Sequence, residues 1–97
     1  MQEFDAQLQG TQQPVLVDVY ATWCGPCKQL APQIGTLSKE FQGKVTFLRV
    51  DGDKLPEIVQ RYRIEGYPTV LIFRGSKVTP LVGLRNIAEY REVLSQN

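Results

Sequence analysis

The chain has 97 residues, of which 42% are hydrophobic and 22% charged, so it is long enough for one hydrophobic core and we expect a single domain over residues 1–97. Its 11 basic and 10 acidic residues are spread along the sequence and give a formal net charge of +1, which argues against a nucleic-acid or membrane partner. Because it has no apolar run of about 18 residues and no signal-peptide pattern, we expect a soluble protein of the cytoplasm, or of an organelle stroma if a transit peptide was removed.

The chain opens with a pattern that predicts a helix and then a strand. Phe4 and Leu8 lie four residues apart and are followed by Gly10, which indicates a short helix with a glycine stop. The segment 14–20, PVLVDVY, is a nearly continuous run of apolar and β-branched residues. Such a run is typical of a strand that is buried on both faces of a mostly parallel sheet.

The middle of the chain predicts a second alternation of helix and strand. From Pro26 to Gly43, apolar residues recur at intervals of three and four, which predicts a helix with one buried face. Pro32 lies inside this helix and should kink it. The segment 44–51, KVTFLRVD, predicts a strand, and 53–62, DKLPEIVQRY, predicts a further full helix because its apolar residues share one side.

The last third of the chain predicts a hairpin and a final helix. Two strand-like runs, 69–74 and 77–83, flank a short turn that contains glycine. Pro80 places the second of these strands at a sheet edge or on a bulge. Asn86 with Glu89 three residues later resembles a capping box and predicts the start of the last helix. The elements follow the order α-β-α-β-α-β-β-α, which indicates an α/β domain of parallel strands with helical crossovers, closed by an antiparallel hairpin.

Both cysteines of the chain lie in the segment WCGPCK, at Cys24 and Cys27. A disulfide between them would close one of the shortest possible rings, and a short ring adds little stability. Cys24 stands where a strand gives way to a helix, and the free N–H groups and dipole of a helix N-terminus lower the pKa of such a thiol. Cys27, one turn into the helix, should be more buried and keep its proton.

This asymmetry predicts a two-step thiol–disulfide exchange. Cys24 attacks a substrate disulfide, and Cys27 then attacks the Cys24 sulfur and releases the reduced product. Gly25 and Pro26 limit how the loop between the two sulfurs can flex. Two other interpretations stay open: half of a zinc site, which would need ligands from a second chain because histidine and further cysteines are absent, and an inert disulfide of a secreted domain.

Asp18 interrupts the apolar run of the first strand. A carboxylate is costly to bury without a hydrogen bond, and burial raises its pKa. We therefore interpret Asp18 as a buried base that accepts the proton of Cys27, directly or through water, when the mixed disulfide resolves. The alternative is an aspartate at the strand end whose side chain reaches water.

The segment VLVDVYATWCGPCKQLAP resembles the active-site segment of the thioredoxins, with Asp18 six residues before Cys24 and the CGPC motif intact. The resemblance continues at GYPT, residues 66–69, and at Val82-Gly83, and covers about residues 4–95. It implies a thioredoxin fold, an α/β fold with a central mixed sheet of about four strands flanked by four helices. It also implies a thiol-disulfide oxidoreductase that reduces disulfide-containing proteins, is itself reduced by a thioredoxin reductase, and holds no cofactor besides its redox-active disulfide.

The resemblance further implies a substrate surface around Cys24. It implies a cis peptide bond between Tyr67 and Pro68, with the Tyr67 backbone exposed so that an extended substrate segment can pair with it. The expected surface is a shallow, mostly apolar patch around an exposed Cys24 sulfur, formed by Trp23, Gly25, Pro26, Tyr67, Pro68, Gly83 and Leu84. For Trp23 the alternative is ordinary packing, and we interpret Lys28 as a solvated helix residue.

The sequence departs from the thioredoxin pattern at several positions. Tyr67 stands where an aliphatic residue is common, and Tyr20 where thioredoxins often have tryptophan or another aromatic residue. Phe47 occupies a position that some thioredoxins fill with a lysine near the buried aspartate, so we expect Asp18 to lack that cation and to be harder to ionise.

The largest departure is the missing first strand of the family, because this sequence starts at the first helix. The strand at 44–51 would then be an unprotected sheet edge. We expect a monomer of lowered stability, with self-association through this edge as the alternative.

Two other function classes stay open at the level of sequence. The same dithiol chemistry can run as a disulfide oxidase or isomerase, depending on the reduction potential, although the Gly-Pro dipeptide between the cysteines resembles reductases more than isomerases. The protein could also be a binding module that holds a partner around Trp23 and is switched by redox state.

Overall fold

A computed structural model describes residues 2–96 and contains the eight elements in the predicted order. The outer bounds of the predicted domain, residues 1 and 97, lie outside the described residues. The helices are α1 (Gln2–Gln9), α2 (Gly25–Glu40), α3 (Pro56–Arg61) and α4 (Ile87–Ser95). The strands are β1 (Val15–Tyr20), β2 (Thr46–Asp51), β3 (Thr69–Arg74) and β4 (Lys77–Val82). The four strands and four helices expected from the sequence are therefore confirmed.

The four strands form one mixed sheet in the order β2-β1-β3-β4. The strand β1 pairs with β2 in parallel but with β3 in antiparallel orientation, and β3 and β4 form the antiparallel hairpin. The expectation of parallel strands ahead of the hairpin is thus wrong for β3. An apolar run indicates that both faces of a strand are buried. It does not indicate whether the neighbouring strands run parallel or antiparallel to it.

The sheet separates two apolar layers, as the alternation of side chains along β1 requires. Leu16 faces a cluster that includes Leu30 of α2 and Tyr90 of α4. Val17, its neighbour in β1, faces a second cluster that includes Phe4 of α1. Because Asp18 is two residues from Leu16, it is directed to the α2 side of the sheet, the side on which Cys27 lies.

Local sequence signals explain most helix ends. Pro26 occupies the first turn of α2, where its missing N–H costs no hydrogen bond, and Pro32 lies inside that helix. Asn86 caps α4, and its side chain accepts a hydrogen bond from the Glu89 backbone N–H at 3.1 Å. The prediction of a full helix over 53–62 is wrong, because α3 begins only at Pro56 and spans six residues.

The outer edge of β2 has no strand partner among residues 2–96, as expected from the sequence. Residues 2–9, which would have to supply a fifth strand, form α1 instead. At the other end of the sheet β4 is the second edge, and Pro80 lies on it as predicted.

Candidate active site

The two cysteines form a disulfide at the junction between β1 and α2. Their Cα atoms are 5.3 Å apart, within the usual range for a disulfide. Cys24 is the N-cap of α2, and its sulfur accepts a hydrogen bond from the Cys27 backbone N–H at 3.1 Å. A negative charge on this sulfur would therefore meet a helix N-terminus and a backbone donor, both of which stabilise a thiolate.

The two cysteines do not differ in burial as expected. Cys24 is 4% exposed and Cys27 is 3% exposed, so in this disulfide form neither sulfur stands out from the surface. Both pack in a small cluster with Ala21, against which the partly buried Tyr20 and Tyr67 lie. The asymmetry of the pair therefore comes from position in the helix, because only Cys24 is the cap.

Asp18 is fully buried in the middle of β1. Neither of its carboxylate oxygens has a hydrogen-bond partner among residues 2–96. The interpretation of Asp18 as a strand-end residue that reaches water is therefore wrong. Burial raises the pKa of this carboxyl above its ordinary value of 3.8, because the charged form loses its hydration.

Arg49 supplies the cation that Asp18 was expected to lack. Its Nε lies 3.4 Å from Asp18 Oδ2, too poorly aligned for a hydrogen bond, and its guanidinium lies 4.3 Å from the centroid of the Tyr20 ring. The positive charge lowers the pKa of Asp18 but does not outweigh burial. The expectation that Asp18 has no cation beside it is wrong, because one comes from another position of β2, directly opposite Asp18 in the parallel register. The expectation that Asp18 is harder to ionise agrees with its raised pKa.

A cavity of about 440 Å³ lies beside the resolving cysteine and is open on one side. Cys27, Lys28, Arg49 and Tyr20 are among the residues that line it. A water occupies roughly 30 Å³ in the liquid, so the cavity has room for several between Arg49 and the Cys27 side of α2. Arg49 thus contacts buried Asp18 and lines the same cavity as Cys27.

The residues expected at the substrate surface lie on three segments that meet near Cys24. Trp23 is 69% exposed, so its interpretation as ordinary core packing is wrong. The Tyr67–Pro68 peptide bond is cis, as the resemblance implied. Gly83 donates its backbone N–H to the Pro68 carbonyl oxygen at 2.9 Å, which ties the loop after β4 to this bond.

The remaining members of the expected surface differ in exposure. Gly25, Pro26 and Leu84 are exposed, whereas Pro68 is buried. Tyr67 is half-buried and contacts Trp23 edge to face, with ring centroids 5.7 Å apart. The structure therefore brings Trp23 and Tyr67 together at one side of Cys24.

Three residues of the site were missed by sequence reasoning: Arg49, Gly52 and Asp53. Asp53 accepts a hydrogen bond from Trp23 Nε1 at 2.8 Å, and Gly52 packs against Tyr67. The only sequence signal for Arg49 was a charge inside an otherwise apolar strand. No local pattern marked the other two.

Between residues 2 and 96 there is no group of three or more potential metal ligands of the types Cys, Asp and Glu. Over the same range, no helix is long and apolar enough to cross a membrane.

Comparison with known proteins places these features in a family. The family model for thioredoxin matches residues 1–96. A thioredoxin of Staphylococcus aureus is 35% identical over 96 residues, which cover 98% of this chain and 90% of the relative. A chloroplastic thioredoxin Y of Oryza sativa is 42% identical over 74 residues, which cover 76% of this chain but 44% of the relative. The chain thus spans less than half the length of this chloroplastic relative.

The fold is the thioredoxin fold expected from the sequence, and it is shared with solved thioredoxin structures. The crystal structure of Deadhead, a germline-specific thioredoxin of Drosophila melanogaster, superposes with a TM-score of 0.88 at 25% sequence identity. The superposition covers 98% of this chain and 91% of the Drosophila chain.

Proposed function

Because this chain belongs to the thioredoxin family, we propose that it is a protein disulfide reductase, which transfers two electrons from its cysteine pair to a disulfide of another protein. The observation that carries the proposal is the Cys24–Cys27 disulfide at the N-terminus of α2, with Cys24 as the helix cap. The oxidised pair is then reduced by a partner of the thioredoxin reductase type. We place it in the cytoplasm or in an organelle stroma, and the bacterial and chloroplastic thioredoxins among its relatives support this placement.

In the first step the Cys24 thiolate attacks one sulfur of the substrate disulfide. The substrate S–S bond breaks, a mixed disulfide forms between Cys24 and the substrate, and the second substrate sulfur leaves as a thiolate. The N-terminus of α2 and the Cys27 backbone N–H stabilise the attacking thiolate, so this step needs no base at the moment of attack.

In the second step Cys27 resolves the mixed disulfide. The Cys27 thiol gives up its proton with Asp18 as the acceptor, and the resulting thiolate attacks the Cys24 sulfur. Arg49, which contacts Asp18, lines the cavity beside Cys27. The bond between Cys24 and the substrate breaks, the substrate leaves as a dithiol once solvent has protonated it, and the Cys24–Cys27 disulfide is restored. The raised pKa of Asp18 makes it a stronger base for a thiol proton than an ordinary carboxylate.

The substrate surface, the absence of a cofactor and the single domain are parts of the same proposal. Disulfide-containing proteins bind at the surface around Cys24, on Trp23, Gly25, Pro26, Tyr67, Pro68, Gly83 and Leu84. No cofactor is bound permanently, because the cysteine pair carries the electrons itself. The whole chain, residues 1–97, acts as one domain, with neither nucleic acid nor membrane as a partner.

Three substitutions test the assigned roles in a protein-disulfide reduction assay with dithiothreitol as electron donor. Cys24→Ser should abolish reduction. Pre-reduced Cys27→Ser, mixed with the substrate after dithiothreitol has been removed, should accumulate a mixed disulfide that mass spectrometry detects. Asp18→Asn should slow resolution by about 100-fold and leave the attack step nearly unchanged. Full activity of Cys24→Ser would contradict the proposed function.

A further inference from the structure

The turn that follows β2 is fixed by hydrogen bonds that its backbone N–H groups donate. The Gly52 N–H donates to the Tyr20 carbonyl oxygen at 2.8 Å, and the Asp53 N–H donates to Asp51 Oδ1 at 3.0 Å. The Lys54 N–H in turn donates to the Asp51 carbonyl oxygen at 3.1 Å. This turn therefore holds a defined position beside the end of β1, where the segment with the two cysteines begins.

Gly52 leaves the space that Tyr67 occupies. A Cβ atom at position 52 would lie 2.7 Å from Tyr67 Cε1 and 2.8 Å from Cζ, and closer still to the hydroxyl oxygen. Ordinary carbon contacts are about 3.5–4.0 Å, so any side chain here would displace the tyrosine ring. The φ angle of Gly52 is not in the left-handed region, so the position needs a glycine for space and not for backbone conformation.

Asp53, the next residue, holds the second aromatic ring. Its Oδ2 accepts the Trp23 Nε1 hydrogen bond at 2.8 Å, although the Trp23 side chain is largely exposed. The Trp23 and Tyr67 rings meet edge to face at 75°. Two consecutive turn residues thus hold the two rings. Gly52 leaves room for the Tyr67 ring because it has no side chain, and Asp53 accepts a hydrogen bond from Trp23.

The two rings form a wall at the side of the nucleophile. Trp23 precedes Cys24 in the chain, and Tyr67 packs against the cluster that contains both cysteines. Aromatic side chains that are already held in place lose little rotamer freedom when a partner binds, which favours affinity. A substrate segment that reaches Cys24 on this side would therefore contact both rings.

We propose that Gly52 and Asp53 are positioning residues that determine how well protein substrates bind, because they hold Tyr67 and Trp23 as a preformed aromatic wall beside Cys24. This inference rests on the proposed reductase function. Neither residue takes part in the exchange of sulfur bonds, so the chemistry at Cys24 should be independent of them.

The test compares a protein disulfide with a small aliphatic disulfide, bis(2-hydroxyethyl) disulfide, which has no aromatic ring that could stack on the wall. With dithiothreitol as electron donor, Gly52→Ala should raise KM for the protein disulfide by roughly tenfold with little change in kcat. The rate at which pre-reduced protein, freed of dithiothreitol, reduces the small disulfide should stay the same. Gly35→Ala is the matched control, because a Cβ at position 35 on α2 would meet no atom within 4 Å apart from the adjacent residues and the nearby backbone of its own helix.

Variants of Asp53 and Tyr67 keep the test decisive if Gly52→Ala folds poorly. Asp53→Ala removes the acceptor for Trp23 at an exposed position and should also raise KM for the protein disulfide, whereas Asp53→Asn keeps an acceptor and should rescue it. In a Tyr67→Val background the clash at position 52 is gone, so adding Gly52→Ala should have no further effect.

Three results would overturn the inference. The first is an unchanged KM for the protein disulfide in both Gly52→Ala and Asp53→Ala. The second is an equal loss of rate with the small disulfide, which would indicate an effect on the cysteines themselves. The third is wild-type protein that reduces neither substrate, which would contradict the proposed function and this inference with it; failure of the inference alone leaves the wild-type rates intact.

Discussion

The pairing of Asp18 with Arg49 is the feature that sequence reasoning predicted least well at the scale of single residues. A carboxylate inside an apolar run was enough to predict that Asp18 is buried. Its partner was not predictable, because the two residues are brought together by the parallel register of β1 and β2, which depends on the whole crossover through α2. The same reason hid Gly52 and Asp53, whose contacts with Tyr67 and Trp23 link segments distant in sequence.

Replacing Arg49 should change the pH dependence of the resolving step. Arg49→Gln removes the charge that lowers the pKa of Asp18, so the carboxyl should stay protonated to higher pH. We expect resolution of a preformed mixed disulfide to slow several-fold at neutral pH and its pH profile to move upward, with Arg49→Lys in between. Stopped-flow measurement of product release across pH checks this.

Lys77→Gln is the matched control for Arg49→Gln, because it removes one positive charge from the exposed start of β4. It should leave the profile of the resolving step unchanged. A profile that is identical in wild type and Arg49→Gln would contradict the role of Arg49.

At the scale of elements, the sequence patterns predicted type and order but not direction and length. Side-chain periodicity records which face of an element is buried, so the positions of β1, α2 and α4 follow from it. The antiparallel pairing of β3 with β1 could not be predicted from that periodicity, which is the same for both strand directions. The start of α3 at Pro56 reflects proline chemistry, because proline suits the first turn of a helix and not its interior.

The N-cap of α4 should contribute measurably to the free energy of unfolding. Asn86→Ala removes the side-chain acceptor of the Glu89 N–H and should lower the free energy of unfolding by about 1 kcal/mol. Asn86→Asp, which keeps an acceptor at the cap, should retain most of it. Urea unfolding followed by circular dichroism measures both. Equal stability of Asn86→Ala and wild type would show that the cap does not contribute.

At the scale of the whole molecule, buried Asp18 should make stability depend on pH. Its pKa in the folded state lies above the unfolded value, so the folded protein holds this proton more tightly. The resulting stabilisation is fully present below the unfolded pKa and is lost as pH rises through the folded pKa. Asp18→Asn should therefore be more stable than wild type at neutral pH, by about 1–3 kcal/mol.

The same difference should shrink towards zero near the unfolded pKa of Asp18. Denaturant unfolding of both proteins across pH measures it. A wild type that is more stable than Asp18→Asn at neutral pH would contradict the conclusion that burial of this carboxylate outweighs its attraction to Arg49. The unpaired outer edge of β2 also affects the stability and association of the whole molecule. The expected low stability, or self-association through that edge, stays a prediction.

The reduction potential of the Cys24–Cys27 pair tests the central claim most directly. Free thiols are trapped after equilibration of the protein in a series of dithiol redox buffers. A reductase should have a potential at or below the cytosolic glutathione poise, about −220 to −260 mV, because only then do electrons flow from the protein to substrate disulfides. A potential near −120 mV, roughly that of a strong disulfide oxidant, or a pair that forms no disulfide in any buffer, would contradict it.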